Sequence, residues 1–244
     1  MKLAEIESEL KAMKDEKYHL LKLINHDIRS PFNRLYALLQ LFELDSEKIS
    51  PQQTEYLNSM YLSILSGLEM IQNLRDMRDI DAGNVQISYT DIRVDEIVQN
   101  AVRAFSKQLE IKNITVKVES LEDCSVILAD SYYLQRIIEN VLSNAVKFSR
   151  LGKEIWIRGY GSATEYNIAI TDSGEGVKKD EANLLFQKFK KLSSFATGGE
   201  GSLGLGLHNA MSFAKLMNAN ISLRSEVQQG ASFVIALPVD KAAI

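Results

Sequence analysis

The chain has 244 residues, 45% hydrophobic and 25% charged, with 28 Lys and Arg against 32 Asp and Glu for a formal net charge of −4. That length fits one or two globular domains, and a slightly acidic balance without a basic run excludes nucleic acid or an anionic membrane as the expected partner. A single cysteine, Cys124, excludes an internal disulfide framework, and with no long apolar run and no signal-peptide pattern the expected location is cytoplasmic, alone or as the inner part of a larger receptor.

The chain opens with Leu3, Ile6, Leu10, Met13, Leu20 and Ile24 in alternating steps of three and four, broken only by Lys17. This fits a coiled-coil seam or the stripe of an ordinary amphipathic helix. The pattern continues through Ile28, Phe32, Leu35, Leu38, Leu39 and Phe42, and carries INHDIRSPF at residues 24–32. Pro31 removes the hydrogen bond to the carbonyl of Asp27, so the irregularity falls beside His26, a side chain suited to proton chemistry near neutral pH. Asp45–Gln53 reads as a turn, with Ser50 and Pro51 opening a second helix whose stripe is Leu57, Met60, Ile64, Leu68, Ile71 and Leu74, ending near Ala82 and Gly83. Two such helices bury too little surface to stand alone, so residues 1–82 are expected to pair with a second copy as a four-helix bundle.

From residue 85 the pattern changes to strands mixed with helices. VQISYTDI reads as a strand, the segment 94–112 as one helix, ITVKVES and SVILAD as short strands, and SYYLQRIIENVLSNAVKFS as a helix. EIWIRGYG and YNIAITDSG read as strands joined by a turn. Helical segments are expected around 180–190 and 204–217, and ISLRSEV and ASFVIALPV as a closing hairpin across Gln228, Gln229 and Gly230. Hairpin-linked strands among helices favour an α+β architecture, a two-layer sandwich over residues 85–244 following the helical hairpin.

Three motifs in this second part carry chemistry. Asn140 and Asn144 lie four apart on the expected helix, with Lys147 three further on, so they share one face. Amide oxygens suit Mg²⁺ beside phosphates and lysine suits a phosphate, although paired asparagines also serve as solvated or capping residues. ITDSGEGV ends an apolar strand in Asp172, whose carboxylate can accept from an exocyclic amine, followed by Gly174 and Gly176, which permit close approach; the alternative is an Asx turn. Residues 198–206 hold five glycines and run into a helix, a cradle for phosphate or else a flexible surface loop.

Taken in order, His-Asp-x-Arg-Ser-Pro, Asn-x-x-x-Asn-x-x-Lys, Asp-x-Gly-x-Gly, Phe-x-x-Phe (Phe186, Phe189) and Gly-Leu-Gly-Leu resemble the catalytic core of the sensor histidine kinases of two-component signalling, over essentially the whole chain. The resemblance implies a dimerisation and histidine-phosphotransfer domain at 1–82 and an ATP-binding domain of the gyrase and chaperone type at 85–244. His26 would be the phospho-acceptor, with Asp27 taking the proton of its other ring nitrogen. Neighbouring helical side chains diverge by roughly 100°, so the role of Asp27 rests on the family, and a solvated helix acid is the other reading. Ser30 stands where relatives carry Thr or Asn for dephosphorylating the partner. Mg²⁺ would sit on Asn144 with Asn140 assisting. ATP would be lined by Lys147 and Phe148, read by Asp172, floored by Gly174 and Gly176, and approached by Gly204, Leu205, Gly206 and Leu207. Residues 190–203 would form a lid.

The chain departs from the family at two points. Lys190 and Lys191 stand where an arginine is common, making Lys191 the expected contact to the γ-phosphate, and Ser202 replaces a frequent third glycine. The implied activity is an autophosphorylating, homodimeric protein-histidine kinase that relays phosphoryl to a response-regulator receiver domain, with an input domain upstream of residue 1. The alternative is a kinase-like scaffold that binds a receiver or another kinase without turnover. His19, His208 and Cys124 are expected to be structural or solvated.

Overall fold

The computed structural model describes residues 27–44, 49–119, 121, 126–162, 164–178, 181–191, 197, 201–225 and 230–239. His26 and all residues before it, Cys124, and Gln228 with Gln229 lie outside these, as do the expectations placed on them. The chain divides into two compact units between Val85 and Gln86.

In the first unit, α1 occupies residues 27–44 and stays helical through Pro31. Helix α2, Pro51–Asp81, starts at a reciprocal cap. Ser50 Oγ accepts from the Gln53 N–H (3.2 Å), and Gln53 Oε1 accepts from the Ser50 N–H (2.8 Å). The first helical position is Pro51, whose missing N–H is not needed there. After the last turn Gly83 takes a φ of +67°, which lets the chain leave the helix.

Four contacts set the antiparallel register of α1 and α2. An Arg29 guanidinium N–H donates to Gln72 Oε1 (3.3 Å). Phe32 fills a notch at Gly67, where an added Cβ would lie 2.2 Å from a ring carbon. Tyr36 meets Tyr61 edge-on at 5.6 Å, and the Tyr61 hydroxyl donates to Glu43 (2.9 Å). The buried side of α2 therefore centres on Tyr61, Ile64 and Ile71, whereas Met60 of the expected stripe is exposed. Leu35, Leu38, Leu41, Phe42, Leu44 and Tyr56 are exposed as well.

The second unit is a helix layer on a mixed sheet. In chain order come β1 Thr90–Ile92, α3 Val94–Ala104, α4 Ser106–Ile111, β2 Thr115–Glu119, β3 Ile127–Ala129, α5 Ser131–Phe148, β4 Glu154–Gly161, β5 Glu165–Thr171, a 3₁₀ turn Ala182–Leu184, α6 Gly206–Leu216, β6 Asn220–Ser225 and β7 Ala231–Pro238. The main sheet has the order β2-β4-β5-β7-β6, parallel between β2 and β4 and antiparallel elsewhere, and β1 pairs with β3 separately. Alternation along the strands sends Ile155, Ile157, Ile168, Ile170, Phe233 and Ile235 into the core. The helices meet that face with Val94 and Val98 of α3, Leu134, Ile138 and Val141 of α5, and Ala210 and Phe213 of α6. Full burial of each large apolar side chain contributes about 1.5–3 kcal/mol.

Three local expectations are corrected. VQISYTDI is a strand only over Thr90–Ile92; nearby, the Ser88 N–H donates to the Asp130 carboxylate (2.8 Å) instead of to a ladder. The single helix over 94–112 breaks at Phe105 (φ −102°, ψ 7°), whose N–H turns back to the Val102 carbonyl, so α3 and α4 are separate. Residues around 180–190 form successive three-residue turns (Glu181 N–H to Lys178 O, Leu184 to Glu181, Gln187 to Leu184) closed by Phe189 at φ +61°. Among the described residues, no helix is long and apolar enough to cross a membrane.

Candidate active site

Asp172 follows directly on β5 and is 6% exposed. Its backbone N–H donates to the Ala231 carbonyl (2.9 Å), and its Oδ1 accepts from the N–H groups of Gly174 (2.9 Å) and Ala231 (3.0 Å). The carboxyl is thus held rigidly by β5, the following turn and the start of β7, leaving Oδ2 for another donor. Burial raises its pKa above the ordinary carboxylate value, opposed by the two backbone donors. Beside it, Thr171 and Ser232 share a hydroxyl–hydroxyl bond of 2.8 Å across β5 and β7.

The glycines here serve close approach in different ways. Gly174 has no positive φ; a Cβ there would lie 2.7 Å from the Phe148 carbonyl oxygen at the end of α5. Gly176 takes φ +75°. Gly230 takes φ +85°, and its Cβ would fall 2.1 Å from the Asp172 carbonyl oxygen. The ends of β5, β7 and α5 therefore meet backbone to backbone.

Helix α5 is started by Asp130, whose side chain accepts from the Tyr133 N–H (3.1 Å). Along it Asn140 is 3% exposed, Asn144 half-buried, Lys147 8% exposed and Phe148 half-buried. The side-chain nitrogen of Asn140 is buried without a hydrogen-bond partner, and an amide desolvated in that way costs free energy unless a ligand completes it. The unsatisfied Asn140 nitrogen is a donor and calls for an acceptor such as a phosphate oxygen. With Asn144 on the same helix face, Lys147, and a glycine that a Cβ would block, the residues fit a Mg²⁺-bound nucleotide, the metal falling to the amide oxygens. Among the described residues no cluster of His, Cys, Asp and Glu could hold a metal. Magnesium commonly keeps several waters and phosphate oxygens, so one or two amide oxygens would be enough protein ligands for it.

The glycine-rich segment is pinned where it rejoins the fold. Gly204, at φ +68°, leaves no room for a Cβ, which would meet the Lys190 carbonyl at 2.4 Å. The Phe189 N–H donates to the Gly204 carbonyl (3.0 Å), and the Nδ1–H of His208 to the Phe186 carbonyl (3.0 Å). Positions 186–190 and 204–208 are thereby stitched together, with Leu205 and Leu207 buried beneath and Gly206 opening α6. His208 is structural in this arrangement. Lys191 is exposed beside the stitch, and Phe189 is exposed too. Thr197 sits against the end of α5, its N–H donating to the Lys147 carbonyl (2.9 Å) and its hydroxyl to the carbonyls of Lys147 (3.0 Å) and Ser149 (2.9 Å).

The structure thus brings Asp172 and Gly174 against Phe148 where α5 and β5 end, with Lys147 next to Phe148 and Asn140 two turns earlier on α5, and links Gly204 to Lys190. Asp27 and Ser30 belong to the first unit, exposed on α1. Residues that sequence reasoning missed are Gly230 and Ala231, Ser232, Thr197 and Lys112, whose ammonium reaches the α5 carbonyls. Gly230 had a signal, a glycine opening an apolar strand; Lys112, near the end of the amphipathic run LEIKN, had none.

Residues 16–83 match the family described as His Kinase A (phospho-acceptor) domain, and residues 129–241 the family described as histidine kinase-, DNA gyrase B-, and HSP90-like ATPase. Sensor protein KdpD of Clostridium acetobutylicum is 30% identical over 224 residues, spanning 90% of this chain and 24% of the relative. Sensor protein GacS of Pseudomonas syringae pv. syringae is 28% identical over 235 residues, spanning 93% of this chain and 25% of the relative. The chain therefore corresponds to only a fraction of the length of these proteins. Among solved structures, full-length ShkA in complex with AMPPNP aligns with a TM-score of 0.65 at 24% identity, over 93% of this chain and 47% of that one. The Acinetobacter baumannii histidine kinase AdeS aligns at 0.58 and 17% identity, over 88% of this chain and 98% of that one. At these identities the likeness is one of fold. Phospho-acceptor helices followed by an ATPase domain, with sensor proteins as relatives along nine-tenths of the sequence, make this chain a member of the sensor histidine kinases, of which it carries the catalytic core.

Proposed function

We propose that the chain is an ATP-dependent protein-histidine kinase that phosphorylates its own His26 and then passes the phosphoryl group to an aspartate of a response-regulator receiver domain. The observation that carries the nucleotide half of this reading is the Asp172–Gly174–α5 cluster, with its fixed carboxylate and unsatisfied Asn140 amide. Asp172 Oδ2 accepts from the exocyclic amine of adenine, and Gly174 and Gly176 form the floor. Asn144 would hold Mg²⁺ through its side-chain oxygen with Asn140 assisting, Lys147 lies against phosphate, and Lys191 reaches the γ-phosphate as a point charge. Bound magnesium supplies charge neutralisation on the phosphate oxygens.

At the acceptor, a neutral ring nitrogen of His26 forms an N–P bond to the γ-phosphorus while the bond to the bridging oxygen of ADP breaks. The proton on the other ring nitrogen passes to Asp27, leaving an anionic phosphoramidate on an uncharged ring. Ser30, exposed one turn further along the helix, orients water when the phosphorylated partner is dephosphorylated. Residues 1–82 also join two copies: the exposed Leu35, Leu38, Leu41 and Phe42 form an apolar surface that a second hairpin covers. The complex of ShkA with AMPPNP supports an adenine nucleotide as the ligand of this fold.

The test is incubation with γ-labelled ATP and Mg²⁺. Acid-labile, base-stable label on the protein that disappears in His26→Gln supports the kinase. ATP hydrolysis without protein label, or label that persists in His26→Gln, overturns it.

A further inference from the structure

Lys112 is 1% exposed, a burial rare for an ammonium unless it is hydrogen-bonded. It lies at the end of α4, and its Nζ donates to the carbonyls of Val146 (2.8 Å) and Lys147 (3.2 Å) in the last turn of α5. Those carbonyls are among the last in α5, where intrahelical partners run out and the helix dipole is negative. The Lys112 carbonyl in turn accepts from the Gly152 N–H (3.0 Å), so one residue grips both the end of α5 and the turn after it.

The position of this grip gives it a functional consequence. The turn it holds carries the Lys147 side chain and the Phe148 carbonyl, and Gly174 packs so tightly on that carbonyl that no Cβ fits between them. Asp172 Oδ1 is bonded to the Gly174 N–H. The Lys147 carbonyl also receives the N–H and hydroxyl of Thr197. A shift in the last turn of α5 would therefore move a phosphate-binding side chain, the floor beneath adenine and the seat of Thr197 together.

We propose that Lys112 is a positioning residue for nucleotide binding: its buried ammonium fixes the end of α5 and, through the backbone of residues 146–148, sets the spacing between Lys147 and the Asp172–Gly174 turn. The proposal rests on the nucleotide reading of this site. Lys112 touches no ligand itself. Its loss is expected to weaken nucleotide affinity in molecules that remain folded by about 10- to 100-fold, by analogy with groups that orient metal ligands.

The experiment measures Mg-ADP affinity by titration calorimetry on the full chain, well below the thermal midpoint, for wild type, Lys112→Met, Lys112→Arg and Thr197→Val. Circular dichroism and the denaturation midpoint are recorded for each. Expected is a fall of tenfold or more for Lys112→Met at unchanged helix content, with part of the affinity restored in Lys112→Arg, whose guanidinium donates to the same carbonyls. Thr197→Val, which leaves the Lys112 bonds intact, is expected to lose less than Lys112→Met. Lys112→Met that lowers only the midpoint and binds Mg-ADP as wild type does reduces Lys112 to a stabilising residue and overturns the proposal. If Lys112→Met does not fold, Lys112→Arg decides: reduced hydrogen-exchange protection at residues 146–149 with a matching fall in Mg-ADP affinity supports the proposal, and reduced protection with wild-type affinity overturns it. Failure of wild type to bind Mg-ADP strikes the nucleotide reading itself.

Discussion

Replacing Asp172 by asparagine separates recognition from folding. The side chain keeps its shape, and its one oxygen can still accept from Gly174 and Ala231, as Oδ1 does now at 2.9 and 3.0 Å. The atom left facing the ligand becomes an NH₂ group, which meets the exocyclic amine of adenine donor to donor. A hydrogen bond to a charged group is worth about 1.5–3 kcal/mol, so ATP affinity should fall roughly 10- to 100-fold. The same NH₂ group suits a carbonyl at that ring position, so inosine triphosphate should lose much less affinity or gain some.

Stability should move the other way. Burial raises the Asp172 pKa, so the folded state binds the proton more readily than the unfolded chain does. The contribution of this group to stability therefore declines as pH rises from the unfolded value of 3.8 through the raised folded value. Asp172→Asn removes that decline: its stability relative to wild type should grow across this window and be at least equal to wild type at neutral pH. Wild-type ATP affinity should weaken more steeply than that of the variant as pH drops through the same window, the variant keeping only the titration of the nucleotide itself. Competition titrations with a fluorescent ATP analogue, paired with denaturation midpoints at several pH values, read both quantities. Equal loss of ATP and inosine triphosphate in a stable variant, or no loss of ATP, would refute the reasoning.

Two glycine substitutions test the packing. Gly67→Ala drives a Cβ to 2.2 Å from the Phe32 ring, and overpacking of about 1–3 kcal/mol should outweigh the roughly 1 kcal/mol gained in helix propensity. Thermal unfolding should show a lower midpoint that Phe32→Leu in the same chain partly restores. Gly230→Ala forces a side chain into φ +85° and to within 2.1 Å of the Asp172 carbonyl, a backbone atom that cannot yield. The left-handed backbone alone costs about 1–2 kcal/mol, and nucleotide affinity should fall along with the midpoint.

The legible parts of the fold were those written in local spacing. The sequence ENVLSNAVKF places Asn140, Asn144 and Lys147 on one helical face, and Asp130 caps that helix as its type predicts. Alternating apolar residues in β4, β5 and β7 set the face of the sheet that becomes core. The break at Phe105 was hidden, because VDEIVQNAVRAFSKQLEIK keeps a helical apolar period across it while the backbone turns there. The segment around 180–190 has helix-forming residues but, apart from one four-residue bond from Ala182 to Lys178, closes its turns at three residues, up to a left-handed Phe189. Gly174 is expected from the sequence to permit close approach to a ligand, and the close approach the structure shows is to the Phe148 carbonyl, a contact made by tertiary packing. Lys112 shows the limit most clearly, since the carbonyls it binds lie 34 and 35 residues further along the chain and no spacing rule reaches that far.

Locating the phosphoryl group on the chain tests the central claim most directly. After brief reaction with Mg-ATP and alkaline quenching, peptide mass spectrometry under conditions that preserve phosphoramidates should find one phosphoryl group, on the peptide containing His26, and at limiting ATP should find at least about tenfold less there in Asp172→Asn. Phosphate confined to serine or threonine, or an unmodified His26 in a chain saturated with Mg-ATP, would contradict the account.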